Sequence, residues 1–140
     1  MIKGDDMTDY KALMQKANAM REFSYTPYSH FKVGAVLVTK DGKEYTGCNV
    51  ENASYTPTIC AERTAFFKAV SEGQREFKCI AIVGGRDGEI SPTCTPCGVC
   101  RQVMSEFCDG DFEVILGTPD NFTVYKFDEV MPLRFLSSEL

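Results

Sequence analysis

Three cysteines and one acid have the types and the spacing needed to hold a metal ion and move a proton. Cys60 stands two residues before Glu62, and Cys97 and Cys100 follow as a Cys-x-x-Cys pair. Three thiolates give zinc three ligands and leave its fourth position open, whereas a structural zinc is closed by four protein groups. The pattern therefore predicts one catalytic Zn²⁺ per chain, bound by Cys60, Cys97 and Cys100.

Glu62 is placed to work beside such a metal without binding it. There it could take a proton from a water activated by zinc and deliver it to a substrate held opposite, which is general acid and base catalysis. Arg63 follows directly, and we expect its guanidinium to donate to the sulfurs, because three thiolates leave excess negative charge at the metal. Glu62 is thus the predicted catalytic residue, and Arg63 the predicted compensating charge.

Helices must position these groups, and the periodicity of the sequence predicts where they lie. Apolar residues recur at helical spacing in three segments. The predicted helices cover residues 5–23, 60–72 and 97–108. Cys60 and Cys97 then fall in the first turn of a helix, where free N–H groups and the helix dipole favour a thiolate. Cys100 lies one turn later on the same face as Cys97, so that both can reach one ion.

Apolar runs between the helices predict five strands. They cover residues 31–39, 44–50, 77–84, 112–116 and 122–127. An Asp-Gly turn joins the first two as a hairpin. The third is apolar throughout, as expected for a central strand covered on both faces, and a helix connects it to the fourth in a right-handed parallel crossover. The gap before the fifth is too short for a crossover, so that the last two strands should be antiparallel. The predicted fold is α/β with a mixed sheet.

Composition limits the classes of function. The chain has 140 residues, enough for one domain over 1–140, and a net charge of −5 with no basic run, which argues against a nucleic acid partner. No apolar segment is long enough to cross a membrane. Seven cysteines without a secretory signal indicate a reducing compartment, so that we expect a cytoplasmic protein. Residues 1–6 are predicted to be a flexible extension.

Four segments together resemble the small zinc-dependent cytidine deaminases, in order and over nearly the whole chain. They are residues 28–35 (YSHFKVGA), 49–55 (NVENASY), 60–65 (CAERTA) and 96–102 (PCGVCRQ). The resemblance implies a three-layer α/β/α fold with a five-stranded mixed sheet. It also implies hydrolytic deamination of cytidine and 2′-deoxycytidine to uridine and 2′-deoxyuridine, with release of ammonia, in pyrimidine salvage.

The same resemblance assigns the contacts to the nucleoside. Phe31 packs on the pyrimidine ring, and Asn49 and Glu51 hydrogen-bond the ribose hydroxyls. The main chain at Ala61 helps to read the base. In the mechanism that the family implies, Glu62 moves each proton as water attacks C4 and ammonia leaves.

The family also implies a homotetramer whose active sites are shared between subunits. The positions that match the neighbouring subunit's contribution are Ala53 and Tyr55. Phe135 matches an aromatic residue near the family's C-terminus that shields the pocket. All three assignments rest on the resemblance alone.

Cys94 leaves alternatives open for the metal. It forms a second, overlapping Cys-x-x-Cys pair with Cys97. We favour Cys97 and Cys100 as ligands because Pro96 can begin a helix, which leaves Cys94 in the loop before it. A structural zinc closed by Cys94 or Cys48 is a second reading of the same residues.

Other functions also fit single motifs. Residues 96–100, after a strand and at a helix start, are typical of a thiol-disulfide oxidoreductase. Among deaminases, an enzyme acting on a nucleoside such as blasticidin S is the rival. Asn49 and Glu51 favour a free nucleoside, and Cys60 stands where deaminases of polynucleotides and free bases usually have histidine. The single histidine, His30, has no partner in the sequence pattern and is left out of the site.

Overall fold

The computed structural model describes residues 8–140, and the predicted extension at residues 1–6 lies outside them. Within these residues, four α-helices and five strands follow one another. The helices are α1 (Tyr10–Met20), α2 (Ala61–Ser71), α3 (Gly98–Phe107) and α4 (Phe127–Val130). The strands are β1 (Phe31–Thr39), β2 (Glu44–Cys48), β3 (Phe77–Arg86), β4 (Glu113–Thr118) and β5 (Asn121–Lys126). No helix within residues 8–140 is long and apolar enough to cross a membrane.

The strands form one mixed sheet in the order β2-β1-β3-β4-β5. β3 and β4 are parallel, as the crossover through α3 requires, and the other neighbours are antiparallel. The prediction that the last two strands are antiparallel is confirmed. β4 continues to Thr118 and β5 begins at Asn121, so that the predicted five-residue gap shrinks to a two-residue hairpin turn.

Helices cover both faces of the sheet, which explains why β1 and β3 are apolar at nearly every position. Alternate residues along a strand point to opposite faces. On β3, Ile80 and Ile82 pack with α2 and α3 in one buried cluster, whereas Ala81 and Val83 pack with α1 in the other. The resulting three layers confirm the α/β/α fold.

The helix boundaries follow local chemistry. Asp9 caps α1 by accepting a hydrogen bond from the Ala12 N–H at 3.0 Å. Cys60 and Cys97 are the residues that cap α2 and α3, one position before the first turn in which we predicted them. Pro96 accordingly lies just outside α3 rather than at its start. Cys97 Sγ accepts from the Cys100 N–H, whereas the Cys60 side chain makes no such capping bond. Both thiols still lie at the positive end of a helix dipole.

Close packing of α2 on β2 depends on Gly47. A Cβ atom at this position would lie 2.3 Å from the Ala61 carbonyl oxygen and 2.8 Å from the Ala65 nitrogen. Both are backbone atoms of α2, so that no side-chain rotation could relieve the clash. Thr64 adds a hydrogen bond at the same place, because its hydroxyl donates to the Cys48 carbonyl oxygen at 3.1 Å. Gly47 thereby sets how near the start of α2 approaches the sheet.

Gly47→Ala is expected to lower the free energy of unfolding by about 1–3 kcal/mol, the usual cost of overpacking. Urea unfolding of the zinc-loaded protein would measure it. Gly98→Ala is the matched control, because a Cβ there meets no atom within 4 Å and alanine favours a helix. Equal stability of the Gly47→Ala variant and the parent would contradict the proposed close approach.

Candidate functional site

The starts of α2 and α3 bring three thiols together. The Sγ atoms of Cys60 and Cys97 are 3.6 Å apart, and those of Cys97 and Cys100 are 3.5 Å apart. All three Sγ atoms lie within 4.8 Å of one another. Two thiolates at about 2.3 Å from a tetrahedral zinc would be about 3.8 Å apart. The thiols present therefore fit the distances and the donor type that zinc requires.

Burial and charge differ among the three thiols. Cys100 is buried, Cys60 is half-buried and Cys97 is exposed. Hydrogen bonding from Cys100, with a further contribution from Arg63, lowers the pKa of Cys60 to about 5. The pKa of Cys100 is raised, first by that same hydrogen bond to Cys60 and then by burial. Cys60 is consequently the first of the pair to become a thiolate, the form that binds metal.

Cys94 stays apart from this cluster. The metal-competent group in residues 8–140 contains Cys60, Cys97 and Cys100, and not Cys94. Cys94 instead packs beside Gly84, where an added Cβ would lie 2.6 Å from its Sγ atom and 3.0 Å from the Phe31 ring. Burial raises the pKa of Cys94 to about 12. The geometry favours our choice among the overlapping Cys-x-x-Cys pairs.

Glu62 lies in the first turn of α2 and is only 3% exposed. Burial raises the pKa of its carboxyl group to about 7, and the negative charge of Cys60 acts in the same direction. A group whose pKa lies near the working pH can both accept and return a proton. Glu62 therefore has the environment of a general acid and base, next to the thiol cluster.

Arg63 points back to the sulfurs. Its Nη2 atom lies 3.4 Å from Cys60 Sγ. Hydrogen bonds to Cys60 and Cys100 raise the pKa of Arg63 against the opposing effect of burial, so that it is positively charged. Its Nε atom is buried and has no partner in the structure. The guanidinium therefore lies where it could offset the negative charge of a Cys60 thiolate.

Arg101 holds the loop that carries Cys97. Its Nε donates to the Pro96 carbonyl at 2.8 Å, and its Nη1 donates to the Val130 carbonyl at 2.6 Å. One side chain thus joins the start of α3 to the end of α4. Our sequence analysis assigned no role to Arg101, although it follows Cys100 directly and lies in one of the segments that carry the family resemblance.

Asn49 fixes the start of β1 with both ends of its amide. Its Oδ1 accepts from the Val33 N–H at 2.9 Å, and its Nδ2 donates to the Phe31 carbonyl at 2.8 Å. The amide keeps one further donor and one further acceptor position. Asn49 therefore adjoins Phe31, and it can still bind a ligand.

Glu51 accepts three hydrogen bonds from the loop before β1. The main-chain N–H groups of Tyr28 and Ser29 donate to its Oε1, each at 3.1 Å, and the Ser29 hydroxyl donates to its Oε2. A surface cleft of about 330 Å³ includes Tyr28, Ser29 and Glu51 in its lining. The carboxylate is thus held at the edge of an open cleft.

The remaining predicted residues divide into one at the thiols and three at the surface. Ala61 is fully buried between Cys60 and Glu62. Ala53 and Tyr55 are exposed in the loop between β2 and α2, and Tyr55 is 80% exposed. Phe135 is also exposed, and its carbonyl accepts from Gln102 Nε2 at 3.0 Å. Within this one chain, the last three do not enclose the thiol cluster.

Three thiols spaced for one zinc ion, without a fourth cysteine in the cluster and with a buried acid beside them, are typical of one class of protein, the zinc-dependent hydrolases. Comparison with known proteins narrows this class. Residues 7–117 match the family model described as the cytidine and deoxycytidylate deaminase zinc-binding region. That match covers most of the chain, and the chain therefore belongs to this zinc-binding deaminase family.

Relatives and solved structures agree with that assignment. The chain is 52% identical to a cytidine deaminase of Sporosarcina psychrophila, over 94% of this chain and 95% of the relative. It is 44% identical to one of Halalkalibacterium halodurans, over 94% and 98%. A crystal structure of cytidine deaminase from Burkholderia pseudomallei superposes with a TM-score of 0.81 at 48% identity, covering 92% of this chain and all of the other. The predicted family, fold and zinc dependence are confirmed.

Proposed function

We propose that this protein deaminates cytidine and 2′-deoxycytidine to uridine and 2′-deoxyuridine in pyrimidine salvage. The relatives at 52% and 44% identity are cytidine deaminases. The observation that carries the proposal is Glu62, a buried acid with a near-neutral pKa beside three thiols spaced for zinc. A structural zinc or a thiol oxidoreductase would leave that burial unexplained.

Cys60, Cys97 and Cys100 would hold the zinc ion, which would act as a Lewis acid and make a water nucleophilic at neutral pH. Glu62 takes a proton from the attacking water and gives it to N3 of the cytosine ring as C4 is attacked. Glu62 then passes the second proton of the water to the amino group, which leaves C4 as ammonia. One water is consumed and one ammonia is released, so that uridine is the other product.

Arg63 and the two helix starts balance the charge that the thiolates bring. The guanidinium donates to Cys60 Sγ, which withdraws electron density from the sulfur. Cys60 and Cys97 also cap α2 and α3, and the positive ends of both helix dipoles act in the same direction. These contacts would offset the negative charge of the three thiolates and so preserve the Lewis acidity of a bound zinc.

Arg63→Gln is expected to lower kcat about tenfold, the factor that corresponds to one lost charge-assisted hydrogen bond, without changing KM or zinc content. Arg63→Lys should recover part of the loss, because it keeps the charge. Initial rates and metal analysis of each variant would measure this. Lys68→Gln, an exposed cation on the same helix, is the control. A fall in zinc content that accounts for the whole loss would instead show a purely structural role.

Recognition of the nucleoside is proposed for the residues around the start of β1. Phe31 packs on the pyrimidine ring, Asn49 and Glu51 bind ribose hydroxyls, and the main chain at Ala61 reads the base. The unused donor and acceptor of Asn49 and the open cleft at Glu51 support this. A free nucleoside fits these contacts, and the net charge of −5 disfavours nucleic acid.

A homotetramer with shared active sites is proposed for the assembly, and the cytoplasm for the location. The exposure of Tyr55 and Phe135, at 80% and 53% of their surfaces, supports a role toward a second subunit. Residues 1–140 would then form one deaminase domain per subunit. Sedimentation as a single chain at assay concentrations would contradict the tetramer.

The proposed reaction is tested by the fall in cytidine absorbance as uridine forms, with and without prior zinc removal by a chelator. Deoxycytidine, cytosine and blasticidin S are assayed in parallel. Conversion of cytidine and deoxycytidine that is lost with zinc and restored by adding it is the expected result. Turnover of blasticidin S and of none of the other three compounds would show that cytidine is not the substrate. Inactivity on all four, with one zinc per chain, would overturn the proposed reaction.

A further inference from the structure

We propose that Ser29 is a positioning residue for the nucleoside, because its hydroxyl orients both the Glu51 carboxylate and the main chain of Phe31. This inference rests on the proposed function, in which Glu51 contacts the ribose and Phe31 contacts the base. Ser29 lies in the first segment that carries the family resemblance, but its position in the sequence does not indicate what its hydroxyl contacts. Only the structure brings Ser29 to Glu51, which lies 22 residues away.

The direction of each hydrogen bond at Ser29 is determined by the donors. The Phe31 main-chain N–H can only donate, and it donates to Ser29 Oγ at 3.0 Å. The hydroxyl has a single proton, and this proton goes to Oε2 of Glu51. One side chain thus joins the residue proposed to bind the sugar with the residue proposed to bind the ring.

These contacts leave Glu51 with one free acceptor position. A carboxylate has about four lone-pair positions, two on each oxygen. Tyr28 N–H and Ser29 N–H occupy both positions on Oε1. The Ser29 hydroxyl occupies one of the two on Oε2. The remaining position on Oε2 can accept one hydroxyl, so that Ser29 determines where a ribose hydroxyl can bind.

The loop that carries Ser29 depends on these contacts for its shape. His30 has a φ of 58°, a left-handed conformation that non-glycine residues rarely adopt. Within the loop, the His30 N–H donates to the Thr26 carbonyl at 3.1 Å. Glu51 ties the other side of the loop to the segment after β2. Loss of the Ser29 hydroxyl would therefore loosen both Glu51 and the entry into β1.

Ser29→Ala is expected to raise KM for cytidine about tenfold, the factor for one hydrogen bond to a charged group, with a smaller change in kcat. Ser29→Thr retains the hydroxyl and should restore KM to near the parent value. The side chain is exposed, so that folding of both variants is expected. Ser71→Ala, an exposed serine whose hydroxyl bonds within its own helix, should leave KM unchanged.

Substrates that lack one hydroxyl separate positioning from a general structural effect. Cytidine, 2′-deoxycytidine and 3′-deoxycytidine are assayed with the parent and with both Ser29 variants. In the parent, removing the hydroxyl that Glu51 binds should raise KM, and Ser29→Ala should abolish most of that difference for this substrate only. Non-additivity of this kind is the mark of two groups that act through one contact.

The outcomes are distinct. An equal rise in KM for all three substrates in Ser29→Ala, or failure of Ser29→Thr to restore KM, would overturn the inference while leaving the proposed function intact. An inactive parent enzyme would overturn the proposed function, and the inference with it. A rise in KM that is largest for the substrates that keep the hydroxyl bound by Glu51, and that threonine reverses, would establish Ser29 as a positioning residue for ribose recognition.

Discussion

Glu62→Gln is expected to lower kcat for cytidine by about 10²–10⁴-fold, the usual contribution of general acid and base catalysis. Glutamine has nearly the same shape, so that the buried site should keep its packing. It can neither accept the proton of the attacking water nor return one to N3 or to the leaving amino group. Zinc content should remain one per chain, because Glu62 is not part of the thiol cluster.

Steady-state rates and metal analysis on the same preparation would test this expectation. Glu72→Gln is the matched control, because Glu72 follows the same helix and is exposed at its far end. It should retain the parent rate. Activity of Glu62→Gln near that of the parent, with zinc bound, would remove Glu62 from the mechanism and leave its near-neutral pKa without a function.

The second large effect is expected when one of the predicted zinc ligands is replaced. Cys100→Ser should abolish both zinc binding and deamination, because Cys100 is 1% exposed and its replacement leaves a buried hydroxyl where the metal requires a thiolate. The two thiols that remain, Cys60 and Cys97, are too few to bind zinc stably. Since a bound metal stabilises the folded form, the melting temperature should also fall.

Cys94→Ser discriminates between the overlapping Cys-x-x-Cys pairs. It should retain one zinc per chain, because Cys94 lies outside the cluster in the structure. Metal content by mass spectrometry and thermal unfolding with and without chelator would measure both variants. Loss of zinc in Cys94→Ser but not in Cys100→Ser would reverse the ligand assignment and place α3 differently over the metal.

Much of the fold was predictable because local patterns and tertiary structure agree. The five strands and the second and third predicted helices appear where apolar periodicity placed them, with boundaries shifted by one or two residues. The first helix is shorter than predicted: α1 covers Tyr10–Met20, and residues 5–7 of the prediction lie outside the described residues. Gly42, at the predicted Asp-Gly turn, has a φ of 91°, a conformation that glycine adopts without strain. The short helix α4 was not predicted, since its four residues are too few for a periodic pattern.

The residue types of the site could be predicted from the sequence, but the side chains that hold those residues in place could not. Cys60, Cys97 and Cys100 could be singled out because zinc requires thiolates in sufficient number, and Glu62 because an acid beside a ligand can move protons. Arg101 and Ser29 could not. The hydrogen bond between Arg101 and Val130 spans 29 positions of the chain, and that between Ser29 and Glu51 spans 22. No local sequence pattern indicates contacts over such separations.

The groups available for chemistry follow from the sequence alone: three thiols, an acid, a guanidinium and a sheet apolar enough to be covered on both faces. Tertiary structure decided what those groups can do together. Cys60 and Cys97 are 37 residues apart along the chain, and they meet at 3.6 Å only because α2 and α3 pack on the same face of the sheet. Burial between those helices and the sheet also raises the pKa of Glu62 toward neutrality. Distance and desolvation are properties of packing, so that the reactivity of the site arises only in the folded chain.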